Sequence, residues 1–177
     1  MTDQRNWLER LADKIPGYAG YAAKDRRRDV DKMHREHLAD RLRGAKQFVT
    51  DAVRGLTDAG RLFEVGPLDR SLKKMDQAEN RIRFASYGYA GFFDTVKIEE
   101  PQLEAIYRFD LALTEKVEEA ERRARELSAG AGDAGGLKEA SAGLERALDD
   151  LNRAFDERYR AIENFKPGDA PGQPMFG

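Results

Sequence analysis

Apolar residues in the first third of the chain recur in alternating steps of four and three. From Leu38 to Leu56 these positions step by four, three, four, three and four. Such a heptad-like seam is typical of a helix that packs one face against other helices. No proline interrupts residues 23–63, so the pattern predicts a helix about 60 Å long. Gly66 and Pro67 are predicted to end it.

Four further helices are predicted from the same periodicity. The first, at residues 3–15, is short and amphipathic, and the others cover residues 68–85, residues 101–127 and residues 137–164. Prolines stand in the first turn of two of them, where the missing N–H group is tolerated. The glycine-rich run SAGAGDAGG at residues 128–136 is predicted to be a flexible connector.

These elements predict an all-α protein, because no segment reads as a convincing strand. We expect an elongated antiparallel helical bundle of four main helices plus the short N-terminal helix, with short connectors that make sequential helices antiparallel neighbours. Residues 1–164 are expected to form one domain. Residues 165–177 contain three prolines and three glycines, and they predict a flexible tail.

The predicted helices differ in length, which leaves part of the second helix without a partner of its own size. If the first helix folded back, it would cover that overhang, with the Trp7 side chain packed against it. A second copy of the chain would cover it otherwise. The length difference between residues 23–63 and residues 68–85 therefore predicts a seam that is only partly buried within one chain, and hence self-association.

The amino-acid composition argues against several classes of function. The net charge of −2 gives no overall attraction for nucleic acid, and the absence of cysteine excludes disulfides, thiolate zinc sites and thiol nucleophiles. Charge is uneven along the chain, at +4 over residues 24–47 and −7 over residues 99–164. No apolar run approaches the length of a membrane span, and the N-terminus lacks a signal-peptide core. A cytoplasmic location is the expectation.

Two bends share the word Gly-Tyr-Ala-Gly, in PGYAGYA at residues 16–22 and YGYAGFF at residues 87–93. Their glycines supply backbone freedom, and their rings are large and amphipathic. One interpretation is a pair of hinges in which the aromatic rings are buried against the helix ends and the tyrosine hydroxyls lie at the rim of the bundle. The other interpretation is the edge of a binding surface. The aromatic residues concerned are Tyr18, Tyr21, Tyr87, Tyr89, Phe92 and Phe93.

A basic segment follows the first bend at the start of the second helix. Free backbone N–H groups beside several cations attract anions. Aspartates alternate with these cations, so a solvated helix face with internal ion pairs is the competing interpretation. The candidate anion-binding residues are Lys24, Arg26, Arg27 and Arg28.

Both histidines of the chain lie in this helix. His34 and His37 are three residues apart, with Asp31 three residues before and Asp40 three residues after the pair. Positions three apart share a helix face. A carboxylate-bridged metal bundle, however, needs histidine-bearing motifs on two helices, and only one helix carries histidine. We therefore predict no metal ion and no cofactor.

Asp110 occupies a seam position of the fourth helix, between leucine-type residues one turn away on either side. A buried carboxylate needs a cation or several hydrogen-bond donors. The sequence predicts a buried Asp110 that sets the register of the packed helices, as a core polar residue does in a coiled coil. The candidate partners are a tyrosine hydroxyl, Arg35, Arg41, Arg81 and Arg83.

The long seams, the uneven charge and the lack of a catalytic motif favour a non-catalytic scaffold or adaptor that acts through protein–protein binding and self-association. One alternative is a peripheral membrane protein that lays residues 3–15 on the lipid surface, although those residues lack a basic excess. The other alternative is a metal-dependent bundle enzyme. Nucleic-acid binding is not expected, because the arginines alternate with acids.

Overall fold

The computed structural model describes residues 2–18, 27–85 and 100–164 of the chain. These residues form helices and short turns and contain no β-strand, so the all-α prediction is confirmed. The predicted tail at residues 165–177 lies outside the described residues. The helices are α1 (Thr2–Lys14), α2 (Arg27–Asp58), α3 (Val65–Phe84), α4 (Glu100–Ala129) and α5 (Ala134–Glu163), with a 3₁₀ turn at Leu62–Glu64.

The ends of three helices differ from the sequence prediction. α2 ends at Asp58, ahead of Gly60, whose φ of +72° is a conformation that glycine adopts without strain. Pro67 lies within the first turn of α3 and does not end α2. The connector predicted at residues 128–136 is mostly helical, because α5 begins immediately after its N-cap, Asp133, whose carboxylate accepts a hydrogen bond from the Gly136 backbone N–H at 2.7 Å.

The four long helices form a bundle of two antiparallel hairpins, α2–α3 and α4–α5. The hairpins lie side by side so that α2 packs against α4 and α3 against α5. Both cross-hairpin pairs are parallel. In the α2–α4 pair, Arg41 binds Glu121, and each lies seven residues beyond the contact of His34 with Thr114. In the α3–α5 pair, Arg81 binds Asp156, and each lies seven residues beyond the contact of Lys74 with Asp149. The prediction that all sequential helices are antiparallel neighbours is therefore wrong for α3 and α4, which lie diagonally across the bundle.

The apolar core has two parts along the bundle axis. The larger part contains the α2 seam from Leu38 to Leu56 and the facing seams of α3, α4 and α5. The smaller part surrounds Ile106 at the start of α4 and includes Leu11 of α1 and Ile15, which follows α1. A layer of buried polar side chains separates the two parts, since Asp31, His34, Asp110 and Arg158 fall between them in their helices.

The α2 seam is completely covered within one chain, with no more than 5% of any of its apolar side chains exposed. The prediction of a partly exposed seam is therefore wrong. α1 packs mainly on α4, whereas the first of the two alternatives placed it over the overhang of α2. Trp7 is half-buried there, and the guanidinium groups of Arg10 and Arg108 lie 5.4 and 5.6 Å from its ring centre.

None of the helices in the described parts of the chain has both the length and the apolar content that crossing a membrane requires.

Candidate functional site

The polar layer occupies seam positions of the helices. Continuing the alternation of threes and fours back from Leu38 reaches Arg35 and then Asp31, and continuing it from Phe155 reaches Arg158. All three side chains are buried, as is Asp110, which lies on the α4 seam. The buried seam residue of α5 is Arg158, whereas its neighbour Tyr159 is only partly buried. The strict alternation was the signal that would have found it.

Asp110 is fully buried, and side chains from two other parts of the chain donate hydrogen bonds to it. Tyr18 follows α1, and its hydroxyl donates to Asp110 Oδ2. Arg158 lies in α5, and its Nε donates to Asp110 Oδ1. A tyrosine hydroxyl was among the predicted partners, whereas Arg158 was not. The four predicted arginines bind other acids instead: Arg35 binds Asp31, Arg41 binds Glu118 and Glu121, Arg81 binds Asp156, and Arg83 binds Asp40 and Glu79.

Arg158 extends the interaction across the bundle to α2. Its Nη2 donates to Asp31 Oδ1 at 2.8 Å, and Arg35 Nε donates to the other oxygen of Asp31 at 2.9 Å. Burial acts to raise the pKa of Asp31, but the positive charges of Arg158 and Arg35 outweigh it and hold that pKa below the ordinary value. Arg35 also donates to the backbone carbonyl of Arg83 at 3.2 Å, which brings the end of α3 into the network.

His34 completes the layer on α2. The Thr114 hydroxyl donates to the Asp110 backbone carbonyl at 2.7 Å, so its oxygen accepts from His34 Nε2–H at 3.0 Å. His34 Nδ1 then carries no proton, lies 3.6 Å from Asp110 Oδ1, and has no hydrogen-bond partner among the described residues. Burial lowers the pKa of His34 to about 4, although the Asp110 carboxylate acts to raise it. The histidine is therefore neutral at pH 7.

We call this set the buried polar cluster; its members are Tyr18, Asp31, His34, Arg35, Asp110, Thr114 and Arg158. Its two carboxylates and two guanidinium groups balance in charge, and every member is closed to solvent. Any other register of the helices would leave a charge buried without a partner, and this cost is the physical reason to expect that the cluster sets the register. The registry role of Asp110 remains a prediction, and the geometry gives it these named partners.

The histidines and aspartates that the sequence analysis weighed as metal ligands do not converge in the structure. Asp31 is held by the two arginines, His34 faces Thr114, and Asp40 is exposed and bound by Arg83 at 2.7 Å. His37 is half-buried, and burial lowers its pKa. Within the described ranges no three His, Asp or Glu side chains are grouped as metal ligands would be.

The anion-binding and bend residues fall mostly outside the described residues. This holds for Lys24 and Arg26, and for the bend aromatics Tyr21, Tyr87, Tyr89, Phe92 and Phe93. Arg27 begins α2, and Arg28 is exposed beside it. Tyr18 buries its ring completely, as the hinge interpretation predicts, but its hydroxyl is in the interior on Asp110 and not at the rim.

The opposite end of the bundle carries a different kind of site, which the sequence analysis missed. We call it the turn end; it consists of residues 59–64 and 130–133, which join α2 to α3 and α4 to α5. Phe63 is completely exposed there (103%), and Leu62 beside it is 62% exposed. The turn is fixed, because Arg61 binds Glu64 at 2.5 Å and donates to the Ala131 carbonyl at 2.7 Å.

A groove of about 330 Å³ lies next to Phe63, between the first turns of α3 and α5. We call it the Phe63 groove. Its apolar lining comes from Phe63, Pro67, Leu137 and two alanines, and Ser141 adds a hydroxyl. Its charged lining is made of Glu64, Arg70, Lys138 and Glu145. A second depression of about 330 Å³ lies on the other side of Arg61, lined by small residues such as Gly55 and Gly132.

Comparison of the chain with protein-family models, with curated proteins and with solved structures found no match.

Proposed function

We propose that this protein is a non-catalytic helical scaffold or adaptor that binds another protein chain through its turn end. The observation that carries the proposal is the exposed Leu62–Phe63 pair on a fixed turn beside an apolar groove. Large aromatic side chains next to a pocket are the usual anchors of protein–protein interfaces.

The energetics support this proposal. Burying a phenylalanine side chain that was fully exposed contributes about 2–3 kcal/mol. Arg61 already holds the turn through Glu64 and the Ala131 carbonyl, so binding orders little further backbone. Among the described residues the third exposed large hydrophobic side chain is Phe84, which lies at the other end of α3. The turn end thus combines an anchor, a groove and rigidity.

The two alternatives receive less support. The membrane interpretation relied on the apolar face of α1, and Leu11 and Ile15 of that face are fully buried against α4. The metal-enzyme interpretation relied on His34 and His37, and His34 is enclosed in the buried polar cluster. Self-association stays part of the proposal, but its reason is now the turn end and no longer the α2 seam.

A site-specific cross-linking experiment tests the proposed function. A photo-reactive phenylalanine analogue is placed at position 63 and, as a matched control, at position 84, which is also an exposed phenylalanine. We expect a discrete adduct at position 63 that excess wild-type protein abolishes and that excess Phe63→Asp protein does not. Equal adducts at both positions, or no adduct that wild-type protein displaces, would refute binding through the turn end.

A further inference from the structure

We infer that the partner of the turn end is the turn end of a second copy of this chain, with Phe63 of each copy seated in the Phe63 groove of the other. This inference rests on the proposed function and names its partner. Three features of the turn end support it: its shape, its charge and the position of the anchor relative to the groove.

The shape is self-complementary, because one copy presents both the projecting side chain and a depression that accepts it. Phe63 is fully exposed, and the adjoining groove measures about 330 Å³. A cavity of about 150 Å³ already accommodates a benzene molecule. The groove therefore has room for a phenyl ring together with part of Leu62.

The charge of the groove favours a copy of the same chain over a strongly acidic or strongly basic partner. Its lining holds two acids, Glu64 and Glu145, and two bases, Arg70 and Lys138. Arg70 Nε lies 3.6 Å from Glu145, and Glu64 is bound by Arg61. Two such balanced surfaces meet without net repulsion, whereas a highly charged partner would face as many like charges as opposite ones.

Because Phe63 lies beside its own groove, two copies can form a closed, twofold-symmetric dimer. In a twofold arrangement each Phe63 and each groove is used once, so two copies satisfy each other and no free site remains for a third. The two bundles would lie end to end. A contact limited to these two short turns and the Phe63 groove would fall in the class of small interfaces, so we expect weak association that depends on concentration.

Sedimentation of the full chain over a roughly hundredfold range of concentration tests this inference. We expect the weight-average mass of the wild-type protein to rise from 20.0 kDa towards twice that value. Phe63→Asp should stay at the monomer mass throughout, and the control Phe84→Asp should behave as the wild type does. Because the Phe63 side chain makes no buried contact within its own chain, Phe63→Asp should melt at the wild-type temperature at concentrations where the wild type is monomeric.

A second measurement identifies which ends meet. The sequence contains no cysteine, so an introduced cysteine is unique. Leu62→Cys and Lys138→Cys chains, mixed and oxidised, should form a mixed disulfide-linked dimer, and Phe84→Cys mixed with Lys138→Cys should not. A dimer that persists in Phe63→Asp would overturn this interface. A wild-type protein that stays monomeric would overturn the inference even if position 63 cross-links specifically to a different protein, and in that case the proposed function would stand.

Discussion

At the residue scale the most constrained group is Asp110. It accepts one hydrogen bond from Tyr18 and one from Arg158, and all three side chains are fully buried. Removing one member of a buried ion pair leaves the other charge without a partner in a medium of low dielectric constant. The free energy of unfolding should therefore respond to this residue more than to any surface charge.

We predict that Asp110→Ala lowers the free energy of unfolding by about 3–5 kcal/mol, because Arg158 and the Tyr18 hydroxyl lose a shared acceptor. Asp110→Leu should cost a similar amount, since Arg158 stays buried and charged beside it. Urea denaturation measures the difference, and Glu115→Ala is the control, because its exposed ion pair with Arg10 should contribute less than about 1 kcal/mol. A small loss for both Asp110 variants would contradict the ion-pair account.

The titration of His34 makes the free energy of unfolding decrease as the pH falls. Its pKa is about 4 in the folded protein and 6.5 in the unfolded chain, so the unfolded chain binds more protons between these values. The contribution of His34 to stability is complete above pH 6.5 and decreases as the pH falls towards 4. The shift corresponds to about 3 kcal/mol. The charged groups that face His34 are Asp31, Asp110, Arg158 and His37.

Denaturation midpoints measured between pH 7 and pH 4.5 test this dependence. The His34→Gln variant should lose most of the decrease, because a glutamine amide can still donate to Thr114 but does not titrate. His37→Gln serves as the control for the second, half-buried histidine. An unchanged pH profile in His34→Gln would show that another group titrates in this range.

At the element scale α1 depends on few contacts with the rest of the bundle. It packs mainly against α4, where Leu11 and Ile15 enter the smaller part of the core and Lys14 binds Glu118 at 2.6 Å. Tyr18 then ties the end of this segment to Asp110. α1 is thus the element that a single substitution can release while the four long helices stay packed.

We predict that Tyr18→Ala lowers the free energy of unfolding by about 3–5 kcal/mol through the loss of a fully buried ring. Tyr18→Phe should lower it by about 1–3 kcal/mol, because only the hydrogen bond to Asp110 is removed. Amide hydrogen exchange should accelerate across residues 2–14 in Tyr18→Ala and stay slow in the α2 seam. Equal acceleration in both regions would mean that α1 is not a separable element.

At the scale of the whole molecule the buried polar cluster joins the two parts of the core. Through Asp31, Asp110 and Arg158 it links α2, α4 and α5 at the level where the apolar packing is interrupted. Helices that share such a network lose it together, so the two parts of the core should unfold as one unit in the wild-type protein.

The sole tryptophan, Trp7, reports the α1 end, and far-UV circular dichroism reports the whole helical content. We predict that the two signals give coincident urea transitions in the wild-type protein, as two-state unfolding requires. They should separate in Tyr18→Ala, with the fluorescence change at the lower urea concentration. Separate transitions in the wild-type protein would show that the cluster does not couple the two parts.

The sequence by itself determined the helices and their inward faces, because apolar periodicity is a local property of each segment. The seams of α2 and α4 were read directly from steps of three and four, and they placed Asp110 inside the bundle before any neighbour was known. The same periodicity extends to Asp31, Arg35 and Arg158. It therefore contained all four charged residues of the buried polar cluster.

Only the tertiary structure decided which of these faces meet. Periodicity gives the direction of a side chain from its own helix axis, but it carries no information on which helix lies opposite. The pairing of Asp110 with Arg158 and Tyr18, and the diagonal placement of α3 and α4, depend on how the two hairpins associate. The apolar periodicity could not predict the exposure of Phe63 for a related reason. A phenylalanine in a short turn has no periodic neighbours, so its environment is set by the helices that the turn joins.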